Sequence, residues 1–382
     1  MQFPKSNYMN LSPFCLIYFF NQFSMVPTMK SIRRQFSICI FCLLLFAICL
    51  LIKHHASPSK LEAIEVVSGT DGDYIKWVDF NVSYEALCTA YDLDVASYGS
   101  PVHLNWIELL AYAGAKGGGK FDKSSISLIQ KLASELSEQK TTMQELTSDM
   151  KYYHYYYQAY EAILGGMVGE YEIEQENESG QKHWKKVYGL KAFSPIAKGF
   201  EYSDYDDFGS SRSYGYKRPH LGHDMMGQIG TPIIAIESGY VEALGWNQYG
   251  GWRIGIRSFD GKRYYYYAHL RQNFPYALAL KEGSVVTAGD VIGYMGHTGY
   301  SAKENVNNIE TVHLHWGLQL IFDESQKEGN NEIWIDCYAL TRFLYKNRSL
   351  TEKNTETKEW FRTFQMKDPA VTAYQKVPSG NT

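Results

Sequence analysis

From about residue 199 the chain becomes a succession of short β-branched and aromatic runs separated by glycine turns: TPIIAI, GYVEALGW, WRIGIRS, KRYYYYAHL, SVVTAGDVIGYMG and TVHLHWGLQL. Runs of this kind with no long helical pattern between them admit few folds, and they predict an antiparallel all-β domain over residues 199–325. The last run also carries chemistry. In an extended strand Thr311, His313, His315, Gly317 and Gln319 share one face, and Val312, Leu314, Trp316, Leu318 and Leu320 share the other. One face is a core and the other a row of imidazoles. A single strand histidine is ordinarily a half-buried polar residue. Two facing the same way, about 7 Å apart, can serve one metal centre as ligand and neighbour.

A second contribution comes from RPHLGHDMMGQIGTPIIAI, which supplies His220 and Asp224. Pro219 and Gly222 argue for an irregular segment, so the pair converges through a turn and not through helical spacing. Two histidines and one aspartate make a catalytic zinc set with an open fourth position, and His315 is the natural third ligand. A mixed nitrogen and oxygen shell suits Zn²⁺ or another first-row metal better than Mg²⁺ or Ca²⁺. His313 and His269 then remain for catalysis. Alternation along KRYYYYAHL places Arg263, Tyr265, Tyr267 and His269 on one face, from which His269 can look into a groove. A metal-activated water needs a base and a tetrahedral oxyanion needs a donor. His313 is favoured as the base because its tie to His315 fixes its distance from the water, but the sequence leaves the two roles interchangeable.

His220-Leu-Gly-His-Asp224, then Tyr-Ala-His269-Leu, then GSVVTAGDVIGYMGHTGYS, and finally His313-Leu-His315 resemble the M23 metallopeptidases, the lysostaphin-like and LytM-like cell-wall endopeptidases. The resemblance covers about residues 199–325. It implies a zinc-dependent peptidoglycan endopeptidase on an open antiparallel sheet, with one zinc ion held by His220, Asp224 and His315 and with His269 and His313 in catalysis. The insertion SAKENVNNIETV between Gly299 and His313 departs from the family pattern and predicts a longer loop at the groove rim. His223 and His297 match no family position and read as loop residues. Tyr214, Tyr216 and Arg218 precede the metal segment and are candidates to line the groove.

The rest of the chain predicts an α+β multidomain protein. FSICIFCLLLFAICLLI, residues 36–52, carries no charge and is flanked by Lys30, Arg33, Arg34 and Lys53. At about 1.5 Å per residue it covers about 25 Å, enough for a single-pass anchor when flanking cations snorkel. The basic side stays in the cytoplasm, which puts the catalytic domain outside a bacterial membrane. Secretion after signal cleavage is the competing reading, although KHHASPSK offers no convincing cleavage site. Met29-Lys-Ser-Ile-Arg-Arg begins like a basic n-region, so residues 1–28 read as lying upstream of the true start. Residues 53–75 read as a tether. Of six cysteines only Cys88 and Cys337 lie beyond the anchor; they make no framework, and a single bridge stays open.

Residues 76–170 carry helical periodicity and predict a small all-α domain. NWIELLAYAGAKGGG ends at Gly117 to Gly119, SISLIQKLASEL is capped by Asp122 or Ser124, and YYHYYYQAYEAILGG stops near Gly165. Its aromatic cluster reads as helix packing before it reads as a binding face. Glu108 is its one candidate for a second hydrolytic acid; a spacer or a module for a cell-envelope protein partner is the simpler reading. Residues 171–198 are polar enough for a linker or an exposed hairpin, and 326–382 predict one helix, DCYALTRFLYKN, and a poorly ordered polar tail.

Charge is balanced, 37 Lys+Arg against 41 Asp+Glu, so nothing predicts a nucleic-acid partner. The 31 tyrosines suit a carbohydrate- or peptide-facing surface, though ordinary strands use them too. The alternative to an enzyme is a catalytically silent scaffold or activator of another wall hydrolase; such relatives lose a ligand or a catalytic histidine, and this chain keeps all five. AGDVIGYMG resembles the turn of a lipoyl-like domain, but against a lipoyl-like or cupin-like module stand the lack of a hairpin-tip lysine there and of an acidic ligand after His315 at cupin spacing.

Overall fold

Local caps set the first layer of the structure. In a computed structural model that describes residues 74–213, 217–327 and 331–376, helices run over Tyr84–Ser97, Trp106–Gly117, Lys123–Ser137, Met143–Thr147 and Tyr153–Leu164. Ser83, Asn105, Asp122 and Thr142 each accept hydrogen bonds from first-turn amides, which would otherwise lack partners. Asp122, not Ser124, caps the third helix and forms a reciprocal box with Ser125. Gly118, in the left-handed region at φ 61°, ends the second. Gly114 lets that helix approach Tyr160 closely, since a Cβ there would lie 2.9 Å from the tyrosine hydroxyl. Tyr153, Tyr156 and Tyr157 pack against the core, which makes the aromatic cluster a packing face.

The main sheet is antiparallel, in the order Val285–Val286, Gly239–Asn247, Gly251–Ser258, Arg263–Ala268, His313–Leu320, His223–Met226, Ser203–Asp204. His313–Leu320 is its centre. One edge pairs along its length with Arg263–Ala268; the other is shared between His223–Met226 and Ile333–Ile335. Leu314, Trp316, Leu318 and Leu320 are fully buried, as the alternation requires. Each such side chain contributes roughly 1.5–3 kcal/mol of burial. On the opposite face His315 lies beside Ala268 on one neighbour and Asp224 on the other.

The helices do not form a separate α domain. One continuous core runs from Val78 through the helices and the sheet to Leu344, and the short helix Tyr338–Leu344 sends Phe343 against Tyr91 and Trp106. The buried guanidinium of Arg263 fastens the layers. It donates to Glu237 at 2.7 and 3.1 Å, to Asp260 at 2.9 Å, and to the Glu161 and Ala162 carbonyls at the end of helix Tyr153–Leu164.

Of the two readings of the polar stretch after residue 170, linker or exposed hairpin, the structure shows the hairpin, Val168–Glu176 against Lys182–Leu190; its tip is the turn at Asn177, whose side chain accepts from Ser179 and Gln181. In the C-terminal segment the predicted poorly ordered tail is replaced, over residues 331–376, by strands and helices. Met366–Lys367 adds to the hairpin as a third strand, and Asp368, buried, binds Lys191 at 2.9 Å and Ser238 at 2.7 Å. Arg362 donates to the Ala288 carbonyl. Polar residues in this tail find buried partners far away in sequence, which a local reading cannot see.

Cys88 and Cys337 are free thiols. Among the described residues no helix is long and apolar enough to cross a membrane. The apolar run 36–52, residues 1–28, most of the tether, and Tyr214 and Tyr216 lie outside the described residues.

Candidate active site

The polar face of the central strand opens into a groove of about 490 Å³. Segment 218–226 delivers two residues to it: Arg218–Pro219 is a short strand, residues 220–222 are irregular, and His223–Met226 joins the main sheet. His220 therefore comes from the turn and Asp224 from the strand, directly opposite His315.

These three side chains meet. His220 Nε2 lies 3.1 Å from Asp224 Oδ1 and 2.9 Å from His315 Nδ1, and His315 Nδ1 lies 2.9 Å from the same Asp224 oxygen. Three donor atoms about 3 Å apart approach the edge length of a tetrahedron around an ion with bonds of about 2.0–2.1 Å. The ring of His220 is turned by its other nitrogen, which faces the Asp207 carbonyl at 3.4 Å and Asp207 Oδ1 at 3.2 Å. Arg212 bonds Asp207 and reaches Asp224 Oδ2 at 3.2 Å, which leaves Oδ1 turned to His220 and His315. His315 rests on Gly222, where a Cβ would come within 2.5 Å of its Cε1. Burial works to raise the Asp224 carboxyl, but hydrogen bonds from His220 and His315 outweigh it and hold the group well below the usual carboxylate range. Burial pushes the His315 imidazole down, favouring the neutral form a metal ligand needs. The residues present fit a divalent first-row ion.

His269 and His313 flank the cluster, with ring centroids 4.6 Å apart. Each turns Nδ1 to a backbone carbonyl, Thr298 at 3.0 Å for His269 and Thr311 at 2.8 Å for His313. That assigns the proton to Nδ1 and leaves Nε2 as an acceptor facing the groove. His313 Nε2 is 3.7 Å from Asp224 Oδ1. Burial, then the neighbouring His313 and His315, push the His269 imidazole well below its ordinary value.

The route of His269 into the groove is not the one alternation predicts. The face bearing Arg263, Tyr265 and Tyr267 is buried away from the groove, and Tyr264 and Tyr266 line it instead. His269 follows the end of strand Arg263–Ala268 at φ 61°, and this left-handed residue breaks the period and turns the ring to the other side. His223 is likewise no loop residue. It sits on a strand, is 2% exposed, and bonds Asp204 at 2.9 Å on the face opposite Asp224. His297 turns its Nδ1 to the Ile309 carbonyl.

Arg218 lines the groove, its guanidinium over the rings of Tyr249 at 4.7 Å and Tyr300 at 5.5 Å. Tyr300 follows Gly299 at the start of the inserted loop, which thus contributes to the groove wall. Sequence reasoning missed Asp207, Arg212, Arg253, Tyr264, Tyr266 and Trp334. For the tyrosines the signal was present, since a strand that hides Tyr265 and Tyr267 shows the tyrosines beside them. In the helical layer, burial pushes the Glu108 carboxyl up, and its charge acts on Tyr153 and on Tyr157, which Glu161 also faces.

Residues 218–328 match the sequence model of peptidase family M23. An L-Ala--D-Glu endopeptidase of Bacillus subtilis is 34% identical over 160 residues, 42% of this chain and 47% of that protein. Lysostaphin of Staphylococcus simulans is 39% identical over 89 residues, 23% of this chain and 17% of that protein. Among solved structures, the catalytic domain of the Staphylococcus simulans lysostaphin aligns at 30% identity with a TM-score of 0.29, covering 37% of this chain and 92% of that one. The chain thus spans less than half the length of these curated relatives.

Proposed function

We propose that this chain, which carries a peptidase family M23 domain, is a zinc-dependent endopeptidase that hydrolyses peptide bonds of bacterial peptidoglycan, tethered outside the membrane by residues 36–52. The observation that carries the reading is the convergence of His220 Nε2, Asp224 Oδ1 and His315 Nδ1, within about 3 Å of one another, beside two imidazoles whose Nε2 atoms face the same groove. Bound zinc supplies Lewis-acid polarisation and brings the pKa of water toward about 7. The chain's own residues do the rest. His313 and His269, each held by a carbonyl at Nδ1, accept a proton at Nε2 and pass it to the leaving amine, or steady the developing oxyanion once protonated. The groove walls hold the peptide extended. The relative that aligns over the longer segment acts, by its name, between L-Ala and D-Glu, so that stem-peptide bond is the first to test.

The test is mass spectrometry of fragments released from purified peptidoglycan by the full chain, with and without a zinc chelator. New chelator-sensitive ends are expected; none from any wall type, with zinc bound, would sink the reading. Asp224→Ala should abolish zinc retention, and His313→Ala should keep zinc and lose turnover by about 10²–10⁴-fold. Full activity in either variant contradicts the roles. Protease accessibility on intact cells tests the tether: a domain protected from external protease would overturn it.

A further inference from the structure

The groove extends beyond the histidines over three neighbouring strands. On its floor Gly255 pairs with Tyr266, and Tyr266 with Gly317. Arg253, two residues before Gly255, lies on the same face, and its side chain lines the groove beside Tyr264, Tyr266 and Trp334. The other cations of the groove are engaged. Arg212 holds Asp207 and Asp224, Lys327 binds Glu242 at 2.7 Å, and Arg218 covers two tyrosine rings. Arg253 makes no ion pair among the described residues, and its Nε is buried without a hydrogen-bond acceptor. Burial pushes the hydroxyls of both Tyr264 and Tyr266 up, the Arg253 charge opposes the shift in each, and the guanidinium also hydrogen-bonds the Tyr264 side chain, so it stands among groove-lining rings with its Nε alone lacking an acceptor. A buried donor with no acceptor is a cost unless something that enters the groove removes it.

We propose that Arg253 reads a free carboxylate on the peptide substrate. The fork of a guanidinium matches a carboxylate and not the neutral amide made from it. Strand Gly251–Ser258 lies two places from the His315 strand, at about 4.8 Å per step, so Arg253 starts about 10 Å from the metal cluster. An extended peptide advances about 3.4 Å per residue, which puts the recognised carboxylate within about three residues of the cleaved bond. A glutamyl residue linked through its γ-carboxyl presents such a group, its α-carboxylate. The inference rests on the proposed peptidase reading and names the substrate class: acidic stem peptides, with their α-amidated counterparts disfavoured.

Two peptides test it, L-Ala-γ-D-Glu-L-Lys-D-Ala with the glutamyl α-carboxylate free or amidated, each also prepared with the L-Ala–D-Glu amide N-methylated to block hydrolysis. The zinc-loaded full chain should bind and cleave the acid form about 10- to 100-fold better. Arg253→Gln should treat the amidated peptide as the unmodified protein does and lose the preference. Equal handling of acid and amide by the unmodified protein, equal loss on both peptides in Arg253→Gln, or no binding of either peptide would overturn the proposal. Preferential binding of the acid form through Arg253 with no cleavage would leave the carboxylate site standing and remove the proposed bond, so the two readings fail separately.

Discussion

Asp207 is the sharpest place to test how the site is built. It is buried, its carbonyl and Oδ1 face His220 Nδ1 at 3.4 and 3.2 Å, and its other oxygen binds Arg212, which also touches Asp224. Asp207→Ala therefore does two things. It removes the carboxylate behind one ligand, although the backbone carbonyl still fixes the tautomer, and it releases Arg212 to compete for Asp224. Losing one such outer partner costs about 10- to 100-fold in metal affinity. Two ligands disturbed together place Asp207→Ala near the upper end, about 100-fold or 2.7 kcal/mol, and Asp207→Asn, which keeps an acceptor for Arg212, near about 10-fold. Competition for zinc between the full chain and a chromophoric chelator measures both, with circular dichroism to verify folding. A folded Asp207→Ala protein that binds zinc as the unmodified protein does refutes the argument, because it would mean His220 and Asp224 are positioned without this pair.

Gly222→Ala should push the His315 ring out of place, since its Cβ would sit 2.5 Å from Cε1 and 2.7 Å from the Trp316 carbonyl; a loss of about 100-fold in kcat/KM is expected, and unchanged hydrolysis would contradict the close packing. In metal-free protein the depressed His269 means that the unfolded chain protonates first as pH falls, so its stability is present above about pH 6.5 and declines below it, with His315 acting in the same sense. Thermal midpoints across about pH 5–8 should show this slope and His269→Gln should flatten it; a flat profile in the unmodified protein would refute the burial argument. Arg263→Met strips the counter-ion from buried Glu237 and should cost about 3–5 kcal/mol in denaturant unfolding, with partial recovery in Arg263→Met/Glu237→Gln; a loss under about 1 kcal/mol would contradict it.

Local rules made much of the site legible. The alternation from Thr311 to Leu320 separates core from groove, and the proline and glycine around His220 point to the irregular segment that delivers it opposite His315. Where a local rule is broken, legibility ends. His269 reaches the groove through a left-handed backbone angle that no residue type in KRYYYYAHL announces. Asp207 and Arg212 act through His220 and Asp224, so their place is visible only once the loop is folded. The C-terminal strands were obscured because their polar residues are satisfied at long range, as Asp368 is by Lys191. The helical segment did show its helices, their glycine stops and a cap at Asp122, but no local pattern distinguishes a free-standing bundle from a layer that shares its core.

That shared core sets the smallest portable piece of this protein. Glu161 and Ala162 supply carbonyls to Arg263, and Arg263 sits on the strand immediately before His269. A fragment cut at the start of the β region would keep every histidine of the site and yet leave a buried cation short of acceptors at the base of the strand that carries one of them. In this chain a substitution at the helix end beneath the sheet is therefore also a substitution under the groove.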